Sequence, residues 1–316
     1  MYYIEKGLGE KFKPLGVMFS ISGLFGSLVF FQANQLSQII RDFIYYPLDI
    51  FQTNPSMGNF ITGVFVACLV SVVIFGGIQR IAKVASKLVP LMVGLYLLAA
   101  FIIILKNVQQ IPSVFMIIFK DAFTGESVAG GAIGSMIIIG VRRGLFSNEA
   151  GTGTETMAHG AAKTKEPIRE GLVAMLGPFI DTIIVCSITA LIILISGVST
   201  YDVNGVSMTA LAFENELGIL GKVFLIIAVL TFAFSTMFGY SFYGRKCVSY
   251  LFGTKAKNIY NCIYVIMIVV ASVASLDIAV NFVDSAYALM VIPTMVATIL
   301  LSPKVMAEAK LYFSKL

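Results

Sequence analysis

The chain has 316 residues, of which 58% are apolar and 12% are charged, and its formal net charge is +5. Soluble domains carry about a quarter charged residues, so this composition excludes an ordinary water-soluble globular protein. The basic residues are spread over several loops, which argues against a nucleic-acid-binding protein. The apolar residues form long continuous runs, whereas an outer-membrane barrel has alternating segments of about ten residues.

The long apolar runs predict an all-α polytopic membrane protein, because about 20 apolar residues cross the roughly 30 Å hydrocarbon core as a helix. Residues 1–14 are polar and lead directly into the first run, so no cleavable signal peptide is expected. The eight predicted spans are 15–40, 57–79, 88–105, 127–141, 168–197, 219–243, 259–276 and 285–302.

The Lys and Arg residues alternate between successive loops. Eighteen of the 22 lie in five stretches, and the other four are Arg41, Lys106, Lys120 and Lys222. Loops rich in Lys and Arg stay in the cytoplasm, so we predict a multi-pass protein of the plasma (inner) membrane with both termini cytoplasmic. The five basic stretches are 1–14, 80–87, 142–169, 245–257 and 304–315.

The four cysteines lie far apart in or beside apolar runs, and the chain has a single His. This pattern gives no zinc-site spacing, so we interpret the cysteines as small packing residues and expect no metal cofactor.

Asp181 is the only carboxylate predicted at the middle of a span, within LGPFIDTIIVCSITALIIL. A charged Asp at a helix centre costs about 2.5–3.5 kcal/mol on insertion scales, so a partner must compensate it. A structural hydrogen bond to a neighbouring helix and a role as gate or cation partner in a transport path are both open.

The middle of the fourth span contains three glycines, Gly130, Gly131 and Gly134. Each weakens a helix by about 1 kcal/mol relative to Ala. One interpretation is close helix packing through the small-xxx-small spacing of Gly130 and Gly134. The other is a helix that breaks at mid-membrane and offers backbone groups to a zwitterion and a cation. The residues alone do not decide between them.

The sixth and the first predicted spans also carry polar residues. Ser235 and Thr236 supply hydroxyl oxygens of the kind that small cations accept, although Ser and Thr are also common in helix packing. Tyr240 follows Thr236 by one helical turn, and Gln32 is the deepest of the four amide residues Gln32, Asn34, Gln35 and Gln38 in the outer half of the first span. Gln32 is therefore a candidate pathway residue, whereas His159 lies in a polar loop and is expected at the surface.

The segment RRGLFSNEAGTGT at 142–154 is much more specific than these features. Together with MYYIEKGLG, FGGIQRIAKVASKLVPLM and GLVAMLGPFIDTIIVCSITALIIL, it resembles the alanine or glycine:cation symporter family over essentially the whole chain. The resemblance implies a LeuT-type inverted-repeat transporter fold. It also implies symport of small neutral amino acids such as alanine or glycine by alternating access, with Na⁺ as the coupling ion and no cofactor.

The resemblance also implies a substrate site at mid-membrane, between the broken first helices of the two repeats. We further predict gate or structural roles for Asp181, Arg142, Arg143, Asn148 and Glu149. The implied cation-binding residues are Ser235 and Thr236. The implied substrate-binding residues are Gln32, Gly130, Gly131, Gly134, Ser135, Thr236 and Tyr240.

The family's internal GGPMYYI motif matches the first residues of this chain, which implies that the first two core helices are absent. We predict a three-helix remnant of the first repeat at 1–126, the second repeat at 127–302 with its first helix broken at Gly130–Gly134, and a cytoplasmic tail at 303–316. A non-transporting or split-transporter subunit, completed by an upstream-encoded fragment, is the alternative function. An intramembrane hydrolase is not expected, because Asp181 has no evident partner aspartate.

Overall fold

The structure is a computed structural model that describes residues 1–123 and 132–315, and these two ranges contain no β-strand. The π-helix Phe179–Cys186 connects the helices Pro167–Pro178 and Ser187–Ile195. The helices are α1 (Tyr2–Leu8), α2 (Lys13–Gly26), α3 (Phe30–Ile40), α4 (Pro55–Ile74), α5 (Gly77–Lys106), α6 (Ile111–Ala122), α7 (Ala132–Asn148), α8 (Thr154–His159), α9 (Pro167–Pro178), α10 (Ser187–Ile195), α11 (Gly205–Leu217), α12 (Ile219–Phe252), α13 (Lys257–Val273) and α14 (Leu276–Phe313).

Seven helical segments of the described residues are long and apolar enough to cross a membrane, and each covers most of one of the eight predicted spans. The remaining prediction, 127–141, lies partly outside the described residues. Its described part belongs to α7, which continues to Asn148 and therefore includes Arg142 and Arg143, two residues that we had assigned to a loop. The seven segments are Glu10–Leu48, Pro55–Ile74, Gly77–Lys106, Pro167–Ile195, Ile219–Phe252, Thr254–Val273 and Leu276–Phe313.

The first span is the most buried of the seven and lies at the centre of the helix bundle. Helices α12 and α14 pack on α2, whereas α13 and α14 pack on α3. Helices α4 and α5 lie further out and expose large apolar side chains such as Phe65, Val72 and Phe101. Exposed apolar surface of this extent is typical of contact with lipid, so the fold is that of a polytopic helical membrane protein.

The first span is not one continuous helix, although the sequence predicted helix throughout 15–40. The chain leaves helical geometry between α2 and α3, over 27–29. Gly26 lets α14 approach at this point, because a Cβ there would lie 2.9 Å from Met290 Sδ and 3.3 Å from the Tyr287 ring. The most buried of the seven described spans is therefore also an interrupted one.

Candidate functional site

The interruption leaves backbone groups without partners at the centre of the bundle. Among the described residues, the carbonyl oxygens of Gly26 and Ser27 and the N–H groups of Phe31 and Gln32 have no hydrogen-bond partner. In a continuous helix, Ser27 O would accept from Phe31 N–H, Gly26 O from Phe30 N–H, and Leu28 O from Gln32 N–H. The end of α2 therefore presents partly negative oxygens, and the start of α3 presents partly positive N–H groups.

Ser27 fixes the end of α2 to its surroundings. Its hydroxyl donates to the carbonyl oxygen of Gly23 at 2.5 Å and lies 3.2 Å from the hydroxyl oxygen of Tyr260 on α13. A Ser that bonds back to its own helix competes with regular helical geometry and often bends the helix. The interruption is thus held by α13 on one side and by α14 on the other.

Tyr240 belongs to a cluster of polar side chains beside the interruption. Its hydroxyl donates to Glu149 Oε1 and lies 2.6 Å from the hydroxyl oxygen of Tyr287. Tyr240 and Tyr287 are both buried, and Tyr287 is the ring that Gly26 faces. We call Glu149, Tyr240 and Tyr287 the Glu–Tyr cluster. It joins α7, α12 and α14 at one point.

Glu149 ends α7 in an unusual backbone conformation. Its φ is 55°, in the left-handed region that non-glycine residues rarely adopt. The Glu149 N–H donates to Leu145 O at 3.0 Å, and the Thr152 hydroxyl donates to Glu149 O at 2.6 Å. Burial raises the pKa of the Glu149 carboxyl above its ordinary value, while hydrogen bonds from Thr154 and Tyr240 act in the opposite direction. Strained polar residues of this kind concentrate at functional sites.

The loop that follows Glu149 packs tightly against two spans. Gly151 and Gly153 both have positive φ, 81° and 91°. A Cβ at Gly153 would lie 2.5 Å from the Phe19 ring on α2 and 2.6 Å from Thr294 Oγ1 on α14. Glycine is required at 153 for both reasons, which accounts for the glycine spacing in the SNEAGTGT segment.

Asp181 lies in the π-helix and contacts the end of α7. Ser147 Oγ donates to Asp181 Oδ2 at 2.6 Å, and Asn148 Nδ2 donates to Thr182 Oγ1 at 2.8 Å. π-helical turns occur frequently at functional sites. A cavity of about 270 Å³ lies beside this contact and is lined by Ser147, Asn148, Glu149, Glu155, Ala158, His159, Ala174, Gly177, Pro178, Asp181 and Tyr243.

The Asp181 side chain thus accepts a hydrogen bond from a neighbouring helix and also lines a cavity, whereas its role as gate or cation partner stays a prediction. His159 is partly exposed, as expected, but it is not without contacts, because its Nδ1 lies 2.7 Å from Glu170 Oε1. The described residues contain no group of three or more His, Cys, Asp or Glu side chains placed to hold a metal ion.

Arg142 and Arg143 face α14 from α7. Arg143 forms an ion pair with Asp284 and lies 5.5 Å from the centre of the Phe146 ring. Arg142 lines a second cavity, of about 290 Å³, together with Phe146, Asp284 and Tyr287. Since Asp284 lies about 12 Å along α14 from its first residue, this ion pair is set within the length of a spanning helix.

Two of the residues predicted to bind substrate are close in sequence to these features: Gln32 to the interruption at 27–29, and Thr236 to Tyr240. Gln32 lies in the first turn of α3, directly after the interruption. Thr236 precedes Tyr240 by one turn on the same face of α12. Neither side chain has a hydrogen-bond partner in the ranges 1–123 and 132–315. Ser235 differs, because its hydroxyl donates to Phe232 O at 2.9 Å and lies 3.4 Å from Met92 Sδ on α5.

The predicted glycine break falls largely outside the described residues. Gly130 and Gly131 are not described, whereas Gly134 and Ser135 lie on α7, where both are exposed. A Cβ added at Gly134 would meet no described atom within 4 Å, so no close helix packing is seen at that position. Neither the interruption at 27–29 nor the contacts of Tyr287 were predicted from the sequence. The Gly26–Ser27 pair was the available signal for the first.

Comparison with known proteins agrees with this picture. The sequence model of the sodium:alanine symporter family matches residues 1–316. The sodium/alanine symporter AgcS of Methanococcus maripaludis is 37% identical over 99% of this chain and 68% of its own length. The amino-acid carrier protein AlsT of Bacillus subtilis is 34% identical over 95% of this chain and 63% of its own length.

A third relative, the probable sodium/glutamine symporter GlnT of Bacillus subtilis, is 33% identical over 98% of this chain and 63% of its own length. The chain thus spans 63–68% of the length of these three relatives. The family is a family of transporters rather than enzymes, and it uses Na⁺ as coupling ion without a cofactor. The full-length match and these identities show that the chain belongs to the sodium:alanine symporter family.

Proposed function

We propose that the chain catalyses Na⁺-coupled symport of a small neutral amino acid, alanine or glycine, across the plasma membrane by alternating access. The interruption at 27–29 carries this proposal. Unpaired backbone groups persist inside a membrane protein only where a ligand or water satisfies them. The N–H groups that begin α3 suit the carboxylate of an amino acid, and the carbonyl oxygens that end α2 suit its ammonium group or Na⁺.

We place the substrate between the interruption and α12. Gln32, in the first turn of α3, is then close to the substrate carboxylate, and Thr236 and Tyr240 form the opposite wall. The carbonyl oxygens of Gly26 and Ser27, with the Thr236 hydroxyl, are the hard oxygen ligands that a small cation prefers. Ser235 faces α5 in this conformation, so we assign it no direct contact with the cation.

We assign the Glu–Tyr cluster and the Ser147–Asp181 contact to the gate on the cytoplasmic side. These contacts tie the end of α7 to α12, α14 and the π-helix, so a rocking movement between helix groups has to rearrange them. Because binding linkage is reciprocal, Na⁺ that organises the pocket tightens substrate binding, and substrate tightens Na⁺ binding by the same factor. The LeuT-type repeat arrangement, with both termini cytoplasmic, is part of this proposal.

The test is uptake of labelled alanine and glycine into proteoliposomes, with and without an inward Na⁺ gradient. We expect gradient-dependent uptake that Thr236→Val lowers at least about tenfold, equivalent to the loss of roughly 1.4 kcal/mol of interaction. Thr231→Val is the matched control on α12, because within the described part of the chain the Thr231 hydroxyl bonds only to carbonyl oxygens of its own helix.

Competition by unlabelled glutamine would test whether the substrate range extends to the amino acid in the name of the third relative. Folded chain without any gradient-dependent uptake would contradict the proposal and favour the non-transporting alternative.

A further inference from the structure

A separate polar cavity of about 170 Å³ lies at the end of the bundle that the basic-residue pattern predicts to face outward. It is formed where α3, α4, the start of α11 and the junction of α13 with α14 meet. Its lining includes Asn34, Gln38, Arg41, Asn59, Asn204 and Leu276. None of the residues assigned to the substrate site at the interruption lines it.

The side-chain oxygen of Asn59, at this cavity, lacks a hydrogen-bond donor among the described residues. The residue is only 9% exposed, and its buried Oδ1 has no partner. The backbone oxygens around the cavity are already engaged, since Asn34 Nδ2 donates to Ala274 O at 2.6 Å and Gln38 Nε2 donates to Asn204 O at 3.2 Å. A buried amide oxygen without a donor is uncommon in folded proteins, and it indicates that a donor on a ligand belongs here.

Hydrogen-bond donors face the same space. Arg41 uses its Nε to donate to Asp42 Oδ1 at 3.0 Å, and no acceptor among the described residues reaches its two terminal nitrogens. Helix α14 begins at Leu276 after the cap residue Ser275, whose Oγ accepts from Ile278 N–H at 3.4 Å. The N-terminus of this 38-residue helix carries a partial positive charge at the cavity.

We infer that this outer cavity is a second binding site for a small zwitterionic amino acid. The Arg41 guanidinium and the first N–H groups of α14 bind the carboxylate, and Asn59 Oδ1 accepts a hydrogen bond from the ammonium group. The identity of the ligand rests on the proposed function, whereas the site itself rests on the geometry of the outer cavity. Occupation there holds substrate at the outward end before it reaches the interruption.

The absence of Trp from the sequence gives a direct test. In Leu276→Trp the only indole of the protein lies at the outer cavity. In the control Tyr201→Trp it lies at an exposed outer position away from the cavity lining. We expect alanine to change the fluorescence of Leu276→Trp saturably, without Na⁺, and to leave Tyr201→Trp unchanged. Adding Asn59→Ala or Arg41→Gln should weaken the response at least about tenfold.

Two further measurements keep the test decisive if the indole disturbs the cavity. Equilibrium binding of labelled alanine to the chain without Trp should count two sites, and Asn59→Ala should remove one. Propionate and ethylamine each offer one of the two charges, so both should bind Leu276→Trp more weakly than alanine. Alanine binding to the unmodified chain that Asn59→Ala leaves unchanged, or propionate binding equal to that of alanine, overturns the inference.

The outcomes also separate this inference from the proposed function. Two alanine sites in a protein that shows no Na⁺-driven uptake would leave the outer site standing and contradict the symport. Na⁺-driven uptake with one alanine site and no effect of Asn59→Ala would do the reverse.

Discussion

The interruption between α2 and α3 and the π-helix Phe179–Cys186 depart from regular α-helix in opposite ways. Between α2 and α3 the chain leaves helical geometry, and backbone groups of Gly26, Ser27, Phe31 and Gln32 have no partner among the described residues. Between α9 and α10 the helix widens into the π-helix Phe179–Cys186, whose wider turns retain backbone hydrogen bonds. The first departure exposes the backbone, whereas the second redirects a side chain, Asp181.

The local sequence accounts for the difference. Pro178 immediately precedes the π-helix, and a Pro inside a helix lacks an N–H and crowds the preceding turn. The interruption has no Pro, and instead combines Gly26, which admits α14, with Ser27, which bonds back to Gly23. Exposed backbone suits an ion or a zwitterion, while a redirected carboxylate suits a contact that can form and break.

Filling the space at the interruption should give the largest effect. Gly26→Leu places side-chain atoms where even a Cβ would lie 2.9 Å from Met290 Sδ. We expect overpacking to cost about 1–3 kcal/mol of stability, with a lower thermal transition of the purified protein and loss of uptake. Gly94→Ala is the control, because a Cβ there meets no atom within 4 Å. A Gly26→Leu protein with unchanged melting and uptake would show that the interruption is not tightly packed.

The contact at the π-helix can be measured with a double-mutant cycle. We expect Ser147→Ala and Asp181→Ala to be coupled by about 1–2 kcal/mol in stability, since the hydrogen bond joins them directly at 2.6 Å. Ser71→Ala in place of Ser147→Ala should show no coupling, because its hydroxyl bonds only to Cys68 O. Additive effects of Ser147→Ala and Asp181→Ala would show that the contact does not stabilise this conformation.

The Glu–Tyr cluster connects the two regions and should make stability depend on pH. The pKa of Glu149 is raised in the folded protein, chiefly by burial. Between the ordinary and the raised pKa the folded state holds a proton that the unfolded state has lost, so stability falls as pH increases through this window. Glu149→Gln should remove that slope from the thermal transition measured against pH, while Glu308→Gln on the exposed end of α14 should retain it.

The smallest effect is expected at the edge of the cavity beside the π-helix. His159 and Glu170 form a partly exposed pair, and such pairs contribute about 0.2–1 kcal/mol. Glu170→Gln should therefore shift the thermal transition only slightly and leave the Ser147–Asp181 coupling unchanged. A large shift would indicate that this pair supports the π-helix itself.

Hydropathy was enough to predict the architecture from the sequence. Seven described spans overlap predicted ones, because burying long apolar runs in lipid outweighs local detail. The end of α7 was predicted several residues too early, since Arg142 and Arg143 look like loop residues until Asp284 is seen opposite Arg143. Charge pairing inside the bundle is a tertiary property that hydropathy cannot report.

The site was predictable only in parts. Gln32, Tyr240, Asp181 and Glu149 were all singled out as polar residues or through the family resemblance, but Tyr240 and Glu149 were assigned separate roles. Their contact joins residues 91 positions apart, and no local pattern encodes it. The interruption at 27–29 was missed because Gly and Ser in a membrane helix are equally typical of close packing.

Gly153 has a mechanical consequence. There is no room for even a methyl group between this loop and the side chains of Phe19 and Thr294. The Thr294 hydroxyl also donates to Thr152 O at 3.2 Å. Because of these contacts, movement of the loop is coupled to movement of α2. Displacement of the loop tilts α2, and the far end of α2 carries the carbonyl oxygens of Gly26 and Ser27. A shift at the loop and a change in the spacing of those oxygens are then a single movement.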